Sequence, residues 1–236
     1  MIELAGLPDT VRAVMTTRAG GVSVGQWASL NLGTHVDDDP VAVRANRKVV
    51  ESALQAPVAW LNQVHGVVCV ERTCAGEVPT ADAQWTTQTN LALAVGVADC
   101  LAVGLCSPNG DRVGVAHAGW RGLLGGVIES TAQAMGGPLI AVLGPCIGPA
   151  VFQVGPEVRE KFCNDNPAAA SAFRADTGDR WLCDLRSLAR QRLVSLGIRV
   201  VDDLNECTYG DPQRWFSYRR QAPGGRMAML MLRRAT

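Results

Sequence analysis

The dipeptide Asn109-Gly110 sits between two apolar runs and constrains this chain more than any other short feature. One run spans Leu91 to Ser107 and the other Arg112 to Ala118. Both residues of the dipeptide tolerate positive φ, which a tight hairpin turn demands. A turn centred there sets Ala102 opposite His117 and Cys100 opposite Gly119. Side chains alternate along a strand, so Cys100 and His117 fall on one face, diagonally opposed. Backbone geometry alone then brings a thiol and an imidazole together. Just beyond, Gly119-Trp120-Arg121-Gly122 leads into a helix predicted from about Leu123 to Met135.

The rest of the chain reads as strands with dispersed helices. Val11 to Met15, Val58 to Gln63, Val67 to Glu71, Leu139 to Leu143, Arg199 to Asp202 and Met227 to Leu232 carry strand patterns. His65-Gly66 breaks the run between the second and third of these. Asp37-Asp38-Asp39-Pro40 starts a helix, with an Asp cap and proline in the first turn, that runs to about Leu54 and contains Asn46 and Arg47. Pro156 begins a short helix to about Cys163. Asp184 caps another, with Leu185, Leu188, Leu193 and Leu196 on one face and Gly197 as its stop. Ala168 to Arg180 reads as an irregular, exposed insertion. The hairpin rules out a purely parallel sheet, so the expectation is a single α+β domain over residues 1–236 with mixed or antiparallel sheets.

Charge excludes several partner classes. Twenty-two basic and 22 acidic residues cancel, and no basic stripe appears, so nucleic acid and anionic membranes are poor partners. The N-terminus lacks a charged start followed by an apolar core, so no signal peptide is expected. No apolar run reaches the roughly 18 residues of a membrane helix. The expectation is a cytoplasmic monomer whose eight cysteines are reduced thiols.

Three histidines are present: His35, His65 and His117. A histidine is most often a satisfied structural residue, but His117 shares its face with Cys100, and His65 sits at a strand break where a side chain can project into a site. Two histidines and a cysteine leave a fourth position open, the pattern of a catalytic zinc that activates a water. The same residues also fit a Cys–His dyad with Cys100 as nucleophile, or an inert Cys100 packed as a small hydrophobe. Arg121, at a glycine-rich helix entrance, is a candidate anion binder against the alternative of an exposed surface arginine. Arg47 lies mid-helix, where a solvated face is the default unless Asn46 and Arg47 face a cleft. Asp99 turns to the face opposite Cys100 and reads as a support of the fold. Cys146, in the rigid Gly144-Pro145-Cys146-Ile147-Gly148-Pro149 loop, could line a pocket or serve structure. Trp120 could stack on a planar ligand, with core packing the default.

At these residues the chain resembles a known family. Asn62-Gln63-Val64-His65-Gly66, Ala98-Asp99-Cys100-Leu101, His117-Ala118-Gly119-Trp120-Arg121-Gly122 and the Gly-Pro-Cys loop are similar to the signature of the YfiH family, once called the multicopper polyphenol oxidase or laccase-domain family. Thr16 to Ser23, Asn31-Leu32-Gly33, Asn46-Arg47 and Phe216 to Arg220 match as well, so the resemblance covers nearly the whole chain. It implies one α+β domain with a cysteine-hydrolase-like fold and a zinc held by His65, Cys100 and His117. It also implies purine nucleoside chemistry: phosphorolysis of adenosine, inosine, guanosine and methylthioadenosine, and deamination of adenosine. The partners would then be a purine nucleoside and phosphate, with Arg47, Arg121 and Cys146 as substrate-binding candidates. A bacterial branch is linked to peptidoglycan-precursor editing, which the Cys–His dyad would serve. Two positions depart from the family pattern: Ala102 stands where proline is frequent, and Phe152-Gln153 where Tyr-Glu is frequent. A copper-dependent phenol oxidase is disfavoured, because a trinuclear copper cluster needs more imidazoles than three histidines supply. A single copper on the same His-Cys-His set is the alternative to zinc.

Overall fold

The computed structural model describes residues 1–235. Two mixed sheets lie face to face. The five-stranded sheet runs Ile2–Leu4, Val11–Met15, Met227–Arg233, Ala92–Val97 and Val58–Ala59. The six-stranded sheet runs Arg199–Asp203, Ile140–Leu143, Leu101–Cys106, Val113–Ala118, Ala83–Thr86 and Cys69–Glu71. A three-stranded sheet of Gln153–Val154, Trp181–Cys183 and Phe173–Ala175 stands to one side.

Strand alternation explains the layers. Leu93, Val95 and Val97 face the interior between the two large sheets with Met227, Met229 and Met231, meeting Ala102, Cys106, Val113 and Val115. The intervening Ala92 and Ala94 face the other way, where Val50 and Leu54 of the Pro40–Leu54 helix cover them. Leu101, Val103, Leu105, Ala116 and Ala118 face outward from the six-stranded sheet, under the helices Val127–Met135, Pro156–Asp165 and Leu185–Ser195. Gly104 lets the two sheets approach: a Cβ there would collide with Met231 Sδ and lie 2.8 Å from Val142 Cγ2.

The hairpin register is the expected one, with Ala102 opposite His117 and Cys106 opposite Val113. Its turn differs. Gly110 N–H donates to Ser107 O, and Ser107 N–H donates to Arg112 O, so four residues make the loop and only Gly110, of the Asn-Gly pair, has positive φ. The loop keeps the same centre, so the pairing is unchanged. The apolar run before it is two strands in two sheets. Ala98-Asp99-Cys100 carries the chain between them, with Asp99 at φ 84°.

Other expectations are corrected. The helix read as Leu123 to Met135 is two, Trp120–Gly125 and Val127–Met135, broken at Gly126 in the left-handed region (φ 95°). Only Val58–Ala59 and Cys69–Glu71 are strand within the two longer runs expected there. In their place the Gln63 side-chain amide pairs with Gly96 as a strand would, donating to its carbonyl (2.9 Å) and accepting from its N–H (2.7 Å). The segment read as an exposed insertion forms a 3-10 helix, Pro167–Ala172, and the strand Phe173–Ala175, which bury Ala169, Ala172 and Phe173. Leu196 is exposed; it follows the last helical residue and lies off the packed stripe. Both Asp caps form: Asp39 accepts from Val41 N–H and Asp184 from Ser187 N–H. Among the described residues no helix is long and apolar enough to cross a membrane.

Candidate metal centre and its cavity

Three non-adjacent segments meet at one end of the two sheets. Cys100 stands at the corner where the chain changes sheet. His117 ends the Val113–Ala118 strand on the same face as Ala102, pointing between the sheets. His65 projects from an irregular segment with its own backbone at φ 61°. One donor atom from each residue lies within 4.8 Å of the other two. Cys100 Sγ is 3.9 Å from His65 Nε2, and the two imidazole rings meet edge to face with centroids 4.7 Å apart.

Asp82 organises the cluster and escaped the sequence reading. It is fully buried just ahead of the Ala83–Thr86 strand. Its carboxylate accepts from His117 Nδ1–H (2.8 Å) and from the backbone N–H groups of Val64, His65 and Gly66 (3.1, 2.9 and 2.6 Å). One carboxylate therefore holds two of the three donors. It also settles the tautomer of His117, leaving Nε2 to face Cys100. The only signal in sequence was a carboxylate among small apolar residues at a strand start. A second buried acid, Asp99, accepts from Thr208 Oγ1, Ser217 Oγ and Arg219 N–H (2.6, 3.0 and 2.7 Å), so it ties the corner to the C-terminal loops.

Electrostatics follow from this packing. Burial pushes the Cys100 thiol up, but the imidazoles of His117 and His65 outweigh it and bring it down to about 6. Burial opposes the His117 imidazolium, yet Cys100 and Asp82 raise it to about 9. Burial also opposes ionised Asp82, but His117 and the backbone N–H groups hold it below the ordinary carboxylate value. The set matches the needs of a divalent ion: a ready thiolate, two imidazoles, and a carboxylate behind one of them. Gly119 leaves the space open, since a Cβ there would lie 2.9 Å from Cys100 Sγ and 3.1 Å from His65 Cδ2. Donor atoms on tetrahedral zinc lie roughly 3.3–3.8 Å apart, so small side-chain rotations close this cluster on an ion.

The cluster opens into a cavity of about 520 Å³ whose wall includes His35, Gln63, Trp120, Arg121, Phe152 and Arg226. The sequence candidates divide. Arg121 lines the cavity, exposed, with its guanidinium 4.4 Å above the Trp120 ring; the helix it enters has six residues. Arg47 is half-buried rather than solvated. It donates to Leu32 O from Nε and Nη2 and stacks on Trp60 at 3.9 Å, away from the cavity wall. Cys146 is buried on another side, against a smaller cavity shared with Arg186 and Cys207. His35 lines the main cavity apart from the metal cluster.

The family model described as multi-copper polyphenol oxidoreductase laccase matches residues 12–234. A Pseudomonas aeruginosa protein named purine nucleoside phosphorylase is 46% identical over 95% of this chain and 94% of its own length. The Escherichia coli protein named purine nucleoside phosphorylase YfiH is 43% identical over 94% of this chain and 93% of its own. A crystal structure of a Neisseria meningitidis protein superposes with TM-score 0.97 at 44% identity, covering 99% of both chains. YlmD from Geobacillus stearothermophilus superposes at 0.89 with 30% identity, over 98% of this chain and 94% of its own. The chain belongs to the multi-copper polyphenol oxidoreductase laccase family, in which its curated relatives carry the name purine nucleoside phosphorylase.

Proposed function

We propose that this protein is a zinc-dependent purine nucleoside phosphorylase that also deaminates adenosine. The observation that carries the reading is the convergence of His65, Cys100 and His117 at the floor of a cavity large enough for a nucleoside. The names of the relatives supply the substrate class: adenosine, inosine, guanosine and methylthioadenosine fall within it. Trp120, Phe152 and Tyr218 bring aromatic rings to the cavity wall, suited to a purine or ribose ring. Arg121, Arg219 and Arg226 give the cavity cationic groups suited to phosphate. In phosphorolysis a phosphate oxygen bonds to the anomeric carbon while the bond from that carbon to the purine nitrogen breaks. Zinc on the three donors would supply a Lewis acid with one open position. Asp82 holds the His117 ring and the His65 backbone, so small side-chain rotations suffice to close the donors on an ion.

A second reading keeps Asp82, His117 and Cys100 as an acid–base–nucleophile relay for a cysteine hydrolase acting on a peptidoglycan precursor. The Asp82–His117 bond at 2.8 Å favours it. It leaves His65 only as a second imidazole beside the thiolate, whereas the metal reading uses it as a ligand.

The test is purified protein incubated with adenosine or inosine, with and without phosphate and a chelator. Products are separated by chromatography and metal content is measured. Base and ribose 1-phosphate forming only with phosphate, and lost on chelation, is the expected result. Inosine from adenosine without phosphate would mark the deaminase. A chelator-insensitive acyl-thioester on Cys100 would replace this reading with the second, and copper in place of zinc would correct the ion.

A further inference from the structure

Three motifs singled out in the sequence lie outside the metal cluster: Thr16 to Ser23, Asn31-Leu32-Gly33 and Asn46-Arg47. They form one clamp. The Asn46 side chain donates to Ser29 O, Asn31 O and Ser23 Oγ (3.1, 2.8 and 2.9 Å) and accepts from Val22 N–H (2.8 Å). Arg47 holds the Leu32 carbonyl from Nε and Nη2 at 3.0 and 2.9 Å. Fully buried Asn31 accepts with Oδ1 from Gly33 N–H (2.9 Å) and from Arg226 N–H (2.8 Å), 195 residues away. Leu32 N–H donates back to Arg226 O at 3.0 Å. Gly33 is a glycine because a Cβ there would lie 2.8 Å from Arg226 Cγ. The Asn31-Leu32-Gly33 end of the clamp therefore seats Arg226.

The seat aims its guanidinium. Nη1 donates to Gly224 O and Gly225 O (2.8 and 3.2 Å), which uses both of its hydrogens. Among the described residues the Nε–Nη2 edge has no hydrogen-bond partner, and no carboxylate forms an ion pair with Arg226. That edge presents two parallel N–H groups, the fork that takes an oxyanion bidentately. Arg226 lines the cavity and is only partly exposed, whereas Arg121 and Arg219 are exposed. Arg219 is also held on Gln153 O. Asp99, an acidic residue of the wall, has its oxygens engaged by Thr208, Ser217 and Arg219 N–H. His35 faces the same space, its imidazole held below the ordinary value by burial and by the charges of Arg226 and Arg47.

We infer that Arg226 is the phosphate anchor of the cavity, presented by the Asn31-Leu32-Gly33 seat with its Nε–Nη2 edge free. That the anion is a phosphate rests on the phosphorylase reading. The group could arrive as the free ion or as the 5′-phosphate of a nucleotide; both present the same oxygens to the fork.

Calorimetric binding of inorganic phosphate, adenosine 5′-monophosphate and adenosine to the full chain and to Arg226→Gln tests it. Circular dichroism and melting establish that the variant is folded. The expected result is at least a tenfold loss of phosphate-group affinity with adenosine affinity within twofold. A loss for both phosphate probes supports the anchor for either source, a loss confined to inorganic phosphate assigns the site to the free ion, and a loss confined to the nucleotide assigns it to the 5′-phosphate. Affinities for both probes unchanged within twofold, or no binding of either by the unsubstituted protein, overturn the inference. If Arg226→Gln does not fold, Arg226→Lys is read by the same criterion, with a loss of several-fold expected because the charge remains and the fork is gone. Kinetics separate this from the activity itself. Phosphorolysis with an unchanged KM for phosphate in Arg226→Gln sinks the anchor alone. Arg226-dependent phosphate binding without base release from any nucleoside sinks the phosphorylase reading alone.

Discussion

Cys100 and Cys146 both sit beside cationic or protonatable groups, and they end up at opposite extremes. Cys100 meets two imidazoles, and its thiol falls to about 6. Cys146 has the Arg186 guanidinium 3.7 Å from its sulfur, yet burial drives its thiol up to about 12. The difference lies in what the neighbours already face. Arg186 is engaged by Asp203, and Asp184, Asp203 and Cys207 all oppose a charge on Cys146. Around Cys100 the carboxylate bonded to the cluster is Asp82, and it acts through His117, raising the imidazolium that stabilises the thiolate. A cation near a thiol activates it only where its charge outweighs burial and the opposing charges around the same sulfur.

The largest expected effect tests this contrast directly. In metal-free protein at pH 7, iodoacetamide should modify Cys100 roughly a thousandfold or more faster than Cys146, read by peptide mass spectrometry. The sign follows from the direction of the shift. The Cys100 rate should rise through about pH 6 and flatten above pH 7, whereas an unperturbed thiol is still rising at about pH 8.5. A midpoint near that ordinary value would mean that the imidazoles do not hold a thiolate. Metal loading should protect Cys100.

Asp82→Asn sharpens the Cys100 side. It keeps the shape but loses the acceptor set that locks His117 and the His65 backbone. Metal affinity, measured by competition with a chelating dye, should fall by about 10–100-fold. An unchanged affinity would show that the cluster is preorganised without its carboxylate.

The smallest effect belongs to the other thiol. Cys146→Ala should leave metal affinity within twofold and cost about 1 kcal/mol of stability in denaturant melts, through lost packing alone. A large drop in metal content would show that the two cysteines are not the independent environments described above.

Much of the site was legible because it is local. The register that faces Ala102 with His117 follows from where the turn is centred, and it survived a change of turn type because the centre did not move. The Asp39 and Asp184 caps were legible for the same reason. Less local features were misread. The run from Leu91 to Ser107 looks like one strand, yet Asp99 turns it between two sheets, and alternation cannot reveal a corner. The solvated default for Arg47 fails because helix position alone does not show the Trp60 ring and Leu32 carbonyl beside it. His65 entered the metal set only as a histidine at a strand break, and the family likeness then strengthened it, since nothing in its spacing relates it to Cys100.

By itself the sequence determined the hairpin, its register, the helix caps and the nearness of a thiol to an imidazole at the hairpin's open end, because these depend on backbone periodicity over a few residues. Only the tertiary structure decided that Asp82 would gather His65 and His117, and that Asn31 would seat Arg226 from 195 residues away. Those groups bond because packed sheets bury them together, and a buried acceptor must find donors wherever the fold brings them, not where the chain places them.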